Sequence, residues 1–394
     1  MTYDFDELVD RCQTESIKWR HYGDGVLPLW VADMDFRSPE AVIRALRERV
    51  DHGVFGYGSE PPELRQVVVA WLDHSFAWRV SPEALVFLPD VVTGFNLACH
   101  AVAAPGDGVL VQTPVYFPIL YAPANAGLLL DQMELTRQPD GTYVIDYDAF
   151  EAAVTPRTHL FILCNPHNPV GRVFQRQELE RMAEICLRHR AIICSDEIHC
   201  DLVFQGSRHV PIASLAPEVA AQTITLVAPS KTFNVAGLKC AVAIVENSEL
   251  RDRYCAARAG LVGGVGVMGY TASLAAYRDG RPWLEEALRY LEGNRDLLLQ
   301  YVAERMPGIG VGKPEGTYLA WLDCRQADLP GNPYEFFLKQ AKVALNDGVQ
   351  FGKGGEGFVR LNYGCCRATL EEALDRMQQA MQALREGAPG QGGG

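Results

Sequence analysis

The strongest constraint on the fold of this chain is a rhythm in its middle. Short apolar runs rich in β-branched residues alternate there with longer stretches of helical periodicity. "HLFILC" (159–164) and "AIICS" (191–195) read as buried strands, and "RQELERMAEICLRH" (176–189) between them reads as a helix. "TITLV" (223–227) and "CAVAIV" (240–245) continue the series. "ALVFL" (84–88) and "GVLVQ" (108–112) precede it, separated by the helix-like "TGFNLACHAVAA". Strands joined through helices run parallel and are covered on both faces, so the pattern predicts an α/β fold built on a mostly parallel sheet.

Beyond Pro282 the texture changes. A long amphipathic stretch, 283–305, leads to short strand candidates at 317–323 and 357–364 and to a final helix over 369–386. The expected organisation is a large α/β domain over 46–282 and a small α+β domain over 283–386. Residues 1–45 contribute to the smaller unit, and "GAPGQGGG" (387–394) forms a flexible tail.

Composition narrows the function classes. Lys and Arg total 36 against 49 Asp and Glu, a formal charge of −13. No basic stripe is present, which argues against nucleic acid or an anionic membrane as partner. No apolar run approaches the roughly 20 residues that span a bilayer. "MTYDFDELVD" lacks the basic start and apolar stretch of a secretory signal. Eleven cysteines without a CxxC or regular spacing suit reduced buried thiols in a cytoplasmic protein better than disulfides or zinc.

In open α/β sheets, ligands bind outside the carboxyl ends of the strands. The segments expected there are "TPVYFP" (113–118), "NPHNPVGR" (165–172), "DEIHCD" (196–201) and "APSKTFN" (228–234). Each residue alone has an ordinary reading: Lys231 an exposed helix-start lysine, Asp196 a cap, Asn168 a turn, Arg360 a surface ion pair. Together they match the needs of pyridoxal 5′-phosphate. Its aldehyde needs a lysine amine, its pyridine nitrogen a carboxylate, its ring oxygen neutral donors and its ring face an aromatic. Its phosphate needs backbone amides at a helix start, which "VVTGF" (91–95) can supply.

The order and spacing "NPHNPVGR…SDEIH…PSKTFNVAGLK…FVRLNYG" resembles the fold-type I pyridoxal-phosphate enzymes of the class I/II aminotransferase family. With "LWVADMDF" (29–36) and "FGYG" (55–58), it looks more narrowly like the cystathionine β-lyase branch. The resemblance covers all but the tail. It implies Lys231 as Schiff-base lysine, with Ser230 beside it in the cofactor site, and Asp196 as partner of the pyridine nitrogen. Asn168 and His199 would then face the ring oxygen and Tyr116 the ring face. Val91, Val92 and Thr93 would hold the phosphate, and Arg360 the substrate α-carboxylate. Tyr57 would reach a neighbouring subunit's phosphate, which implies a homodimer with shared active sites; as a residue alone it reads almost equally as a core aromatic.

Two departures from the family pattern stand out. Lys239 occupies the place of a phosphate-gripping arginine, giving a point charge in place of a fork. Val170 replaces a common threonine. "GVGVMG" (264–269) spells a dinucleotide fingerprint but follows a helical pattern, so it fails its context. "GKGGEG" (352–357) lacks the ending of a P-loop. His199, Cys200 and Asp201 have no second ligand cluster, which makes a metal site a poor reading.

The resemblance implies α,β-elimination from an L-cysteine S-conjugate such as cystathionine, yielding thiol, pyruvate and ammonia. An aminotransferase or amino-acid cyclase would use the same groups, and a cofactor-binding regulator is a third reading. Retention of both Lys231 and Arg360 speaks against the last.

Overall fold

The computed structural model describes residues 3–387. A two-residue strand, β1 (Leu27–Pro28), precedes the large sheet. That sheet begins with β2 (Leu85–Leu88), β3 (Gly108–Thr113) and β4 (Leu129–Glu134). A small hairpin of β5 (Thr136–Arg137) and β6 (Tyr143–Val144) interrupts it. It continues with β7 (Thr158–Cys164), β8 (Ile192–Asp196), β9 (Thr223–Val227) and β10 (Ala241–Ile244). Its seven strands lie in the order β2-β10-β9-β8-β7-β3-β4. Five neighbours, β9 through β4, run parallel, while β10 is antiparallel to both of its partners.

The central strands are buried almost throughout, as expected for a sheet covered on both faces. β4 escaped the sequence reading for a physical reason. It is the sheet's edge, most of its residues keep solvent contact, and it carries Asp131 and Glu134 where a central strand would carry apolar residues. The helix Arg176–His189 has the predicted bounds. Gln175 and Glu178 close a capping box at its start, and Arg190 ends it in the left-handed region.

The second sheet has four strands, in the order β11 (Gly310–Val311), β12 (Leu319–Asp323), β15 (Phe358–Asn362), β14 (Asn346–Asp347). Between β12 and β14 in the chain, β13 (Val343–Ala344) pairs in parallel with β1, so the N-terminal segment lies against the C-terminal part. The helix expected from 283 starts at Arg281: Pro282 lies in its first turn, where no intrahelical N–H is required. The strand expected from 317 starts at 319, because Thr317 takes a φ of 69° and breaks the extended backbone. The last helix, Arg367–Gly387, takes in the first glycine of the expected tail, and 388–394 lie outside the described residues. All eleven cysteines are free, nine of them buried.

Candidate active site

The sheet order decides what meets what. β3, β7, β8 and β9 stand side by side, so the segments after their carboxyl ends converge on one edge. β3 delivers Tyr116, β7 delivers Asn168, β8 ends in Asp196 and is followed by His199, and β9 delivers Ser230 and Lys231. β15 of the second sheet brings Arg360 from the opposite side. These residues line a cavity of about 250 Å³ together with Val91, Val92 and Lys239. Two sequence candidates lie elsewhere. Thr93 is one residue deeper in its helix, and Tyr57 is fully exposed on the loop after Gly53.

Asp196 is 3% exposed, and one carboxylate oxygen accepts from the Ile198 amide at 3.1 Å. Burial pushes its pKa up to about 7 despite that bond and the charge of Lys231. Lys231 keeps some accessible surface because it lines the cavity. Its Nζ donates to the Ala32 carbonyl at 2.6 Å. Burial lowers its pKa to about 8, with Arg360 and Lys239 adding to the effect and Asp33 and Asp196 opposing it. His199 is buried with its Nδ1 unpartnered, and desolvation holds it well below the usual histidine range, so the ring is neutral.

Arg360 carries a buried positive charge, and no carboxylate pairs with it among the described residues. Nη1 donates to Asn168 Oδ1 at 3.0 Å. Nη2 donates to the Trp30 carbonyl at 2.8 Å and to Asn346 Oδ1 at 2.5 Å, while Nε has no partner. Neutral oxygens orient the guanidinium without neutralising it, and burial lowers its pKa to about 10. A buried cation left in this state is costly unless an anion joins it.

At the other end, the helix Val91–Val102 opens into the cavity. Asp90 caps it, accepting from the Thr93 amide at 2.7 Å, and pairs with Lys239 at 2.9 Å. The expected third amide is therefore already engaged, and Val91 and Val92 are the residues of that turn that face the cavity.

Pyridoxal phosphate fits this donor set. An under-stabilised carboxyl that a ring cation would satisfy lines the cavity, and so does a neutral imidazole with an unspent nitrogen. An amine of lowered basicity shares the cavity, and a helix start with a lysine closes its far end. No group of three or more His, Cys, Asp and Glu suitable for a metal occurs among the described residues.

Sequence reasoning assigned no task to Trp30, Ala32 or Asn346. Two of them act through backbone carbonyls, which no side-chain motif announces. Asn346 meets Arg360 through strand register, as its direct partner across β14 and β15.

Residues 24–377 match the family model for aminotransferase class I and II. Cystathionine beta-lyase PatB of Bacillus subtilis (strain 168) is 42% identical over 386 residues, covering 96% of this chain and 99% of that protein. The crystal structure of OvoB matches with a TM-score of 0.93 at 42% identity, over 97% of this chain and 100% of that one. The structure of cystalysin from Treponema denticola, which contains pyridoxal 5′-phosphate, matches at 0.94 and 32% identity, over 98% and 100%. With the cavity built at the strand ends and a match of this extent, the chain belongs to the class I and II aminotransferase family.

Proposed function

We propose that this protein is a pyridoxal-phosphate-dependent C–S β-lyase. It cleaves L-cystathionine or related cysteine S-conjugates, consuming one water and releasing thiol, pyruvate and ammonia. The names of PatB and of cystalysin with its cofactor support the reaction and the cofactor. The observation that carries the chemistry is the cavity itself, which holds an amine of lowered basicity, a carboxyl and an unneutralised guanidinium.

When bound, pyridoxal phosphate supplies an electron sink for charge developing at the substrate Cα. The roles of the chain's own residues follow from their positions. Arg360 clamps the α-carboxylate, which gives its buried charge a partner and fixes the substrate's orientation. Lys231 would hold the cofactor through its amine, and that amine, when free, would take the proton from the substrate Cα. A pKa of about 8 leaves roughly a tenth of the amine neutral at pH 7, against a negligible fraction for an ordinary lysine. Asp196 would partner the ring nitrogen and, beside that cation, stay ionised. Asn168 and His199 would hold the ring oxygen, Tyr116 the ring, and Val91, Val92, Ser230 and Lys239 the phosphate, with Thr93 supporting the Asp90 cap.

The assembly we infer is a homodimer. Val54, Phe55 and Tyr57 are all more than half exposed on one loop, an apolar surface suited to a second copy, and Tyr57 then serves the partner's site. We place the protein in the cytoplasm, in keeping with eleven free cysteines; no helix among the described residues is long and apolar enough to cross a membrane. We also divide the chain at 46–282 and 283–386, with 1–45 joined to the latter. The β1–β13 pairing and a site between the two sheets support that division.

The test is to mix the purified protein with L-cystathionine without any keto acid and to follow pyruvate and free thiol together. Equal release of both is expected. A protein that is silent until a keto acid is added is an aminotransferase instead.

A further inference from the structure

Lys231 hydrogen-bonds to a residue from neither sheet. Its partner, the Ala32 carbonyl, lies on the segment Leu29–Phe36, 199 residues earlier in the chain. The same oxygen accepts from Tyr318 Oη at 2.9 Å. A carbonyl oxygen has two lone pairs, so both are used.

The segment around that oxygen is held on both sides. Asn362 Nδ2 donates to the carbonyls of Val31 and Asp33 at 2.6 and 2.7 Å. Asn234 takes the Met34 amide at 3.0 Å and donates to the Met34 carbonyl at 2.9 Å. Asp33 is gripped by Arg11 at 2.7 Å and approached by Lys18 at 3.5 Å, while its Oδ1 is buried without a hydrogen bond. Sequence motifs assign no role to any of these groups.

We propose that the Ala32 carbonyl is the docking point of the Lys231 amine whenever that amine is free during turnover, and that Tyr318 and Asp33 are positioning residues that hold it. The inference rests on Lys231 being the proton-moving amine of the reading above. A carbonyl only accepts, so an N–H of Lys231 must point at Ala32. The lone pair of the neutral amine is then not spent on the Ala32 oxygen and is left free for the cavity that both residues line. Tyr318 fixes the docking oxygen from the second sheet's side, so the two halves of the molecule meet on one atom. Four charged groups act on the amine: Asp33 from this segment, Asp196 from β8, Arg360 from β15 and Lys239 beyond β9. The carboxylates favour its charged form and the cations its neutral form.

The test uses Tyr318→Phe and Asp33→Asn holoenzymes with an L-cysteine S-conjugate carrying hydrogen or deuterium at Cα. A parallel series strips the cofactor from the full chain and follows amine-specific labelling of Lys231 against pH by mass spectrometry. Tyr318→Phe is expected to lower kcat about tenfold with KM nearly unchanged, and to raise the deuterium isotope effect, because proton transfer from Cα becomes slower. Asp33→Asn is expected to move the labelling midpoint of Lys231 down by about one pH unit. An unchanged isotope effect together with an unchanged midpoint, with only the melting temperature lowered, overturns the proposal and leaves the segment a brace. Should Asp33→Asn fail to fold, Tyr318→Phe decides alone, since it leaves the charges of Arg11, Lys18, Asp33 and Asp35 in place. Loss of the Cα proton is common to elimination and transamination, so this result stands apart from the choice between them.

Discussion

Lys18 and Lys231 are both withdrawn from bulk water, and the molecule treats them in opposite ways. Lys18 is fully buried, which by itself lowers its pKa. Asp35 at 2.7 Å and Asp33 at 3.5 Å outweigh that loss and hold it above the usual lysine value. Lys231 has only a carbonyl as its hydrogen-bond partner and no carboxylate within ion-pair distance among the described residues, so burial prevails and its pKa falls to about 8. The difference lies in pairing rather than in burial. A paired buried lysine keeps its proton, and an unpaired one gives it up more readily.

The sharpest way to break this comparison is to remove each lysine in turn. Lys231→Ala is expected to lower pyruvate release about 10³-fold or more while the chain still folds, as judged by circular dichroism. Lys18→Met is expected to act on stability first. It leaves two carboxylates with Arg11 as their one remaining cation among the described residues, at a cost of about 3–5 kcal/mol in urea unfolding. If Lys18→Met left stability untouched, the pairing argument would fail.

A smaller effect concerns pH. Folding raises the pKa of Asp196 from its ordinary 3.8 to about 7, so the cofactor-free fold loses stability as pH climbs between these values. For Lys231, folding lowers the pKa from 10.5 to about 8, so stability is lost as pH falls between those values. Both penalties are present at pH 7–8, with Asp196 accounting for up to about 4 kcal/mol. Thermal melts with and without cofactor from pH 5 to 9 are expected to show the largest gain on binding near pH 7–8. Asp196→Asn is expected to flatten the acid side of the cofactor-free curve. The smallest effect belongs to Lys239, which is exposed and already paired with Asp90. Lys239→Ala is expected to weaken cofactor binding only severalfold, measured by absorbance titration.

The sequence revealed the parts of this molecule that depend on local pattern. Buried parallel strands repeat a recognisable composition, so β7, β8 and β9 could be placed within a residue or so, and the strand ends then identified Asn168, Asp196 and Lys231. An edge strand has no such signature, and β4 was lost with its charges and half-exposed face. The same limit applied inside the site. Arg360 could be proposed from its anion-seeking character, whereas the oxygens that aim it come from a backbone carbonyl of Trp30 and a cross-strand neighbour, Asn346, that only register reveals. In "LWVADMDF" the group that meets Lys231 is a backbone carbonyl, which no side-chain pattern announces.

One measurement tests the central claim most directly. The full chain, stripped of cofactor, is exposed to a lysine-specific acylating reagent from pH 6 to 11, and Lys18 and Lys231 are followed in the same digest. The account expects Lys231 to become reactive with a midpoint near pH 8 while Lys18 stays protected until the protein unfolds. If both lysines titrate together near pH 10.5, pairing does not separate them, and the base assigned here has no special readiness to act.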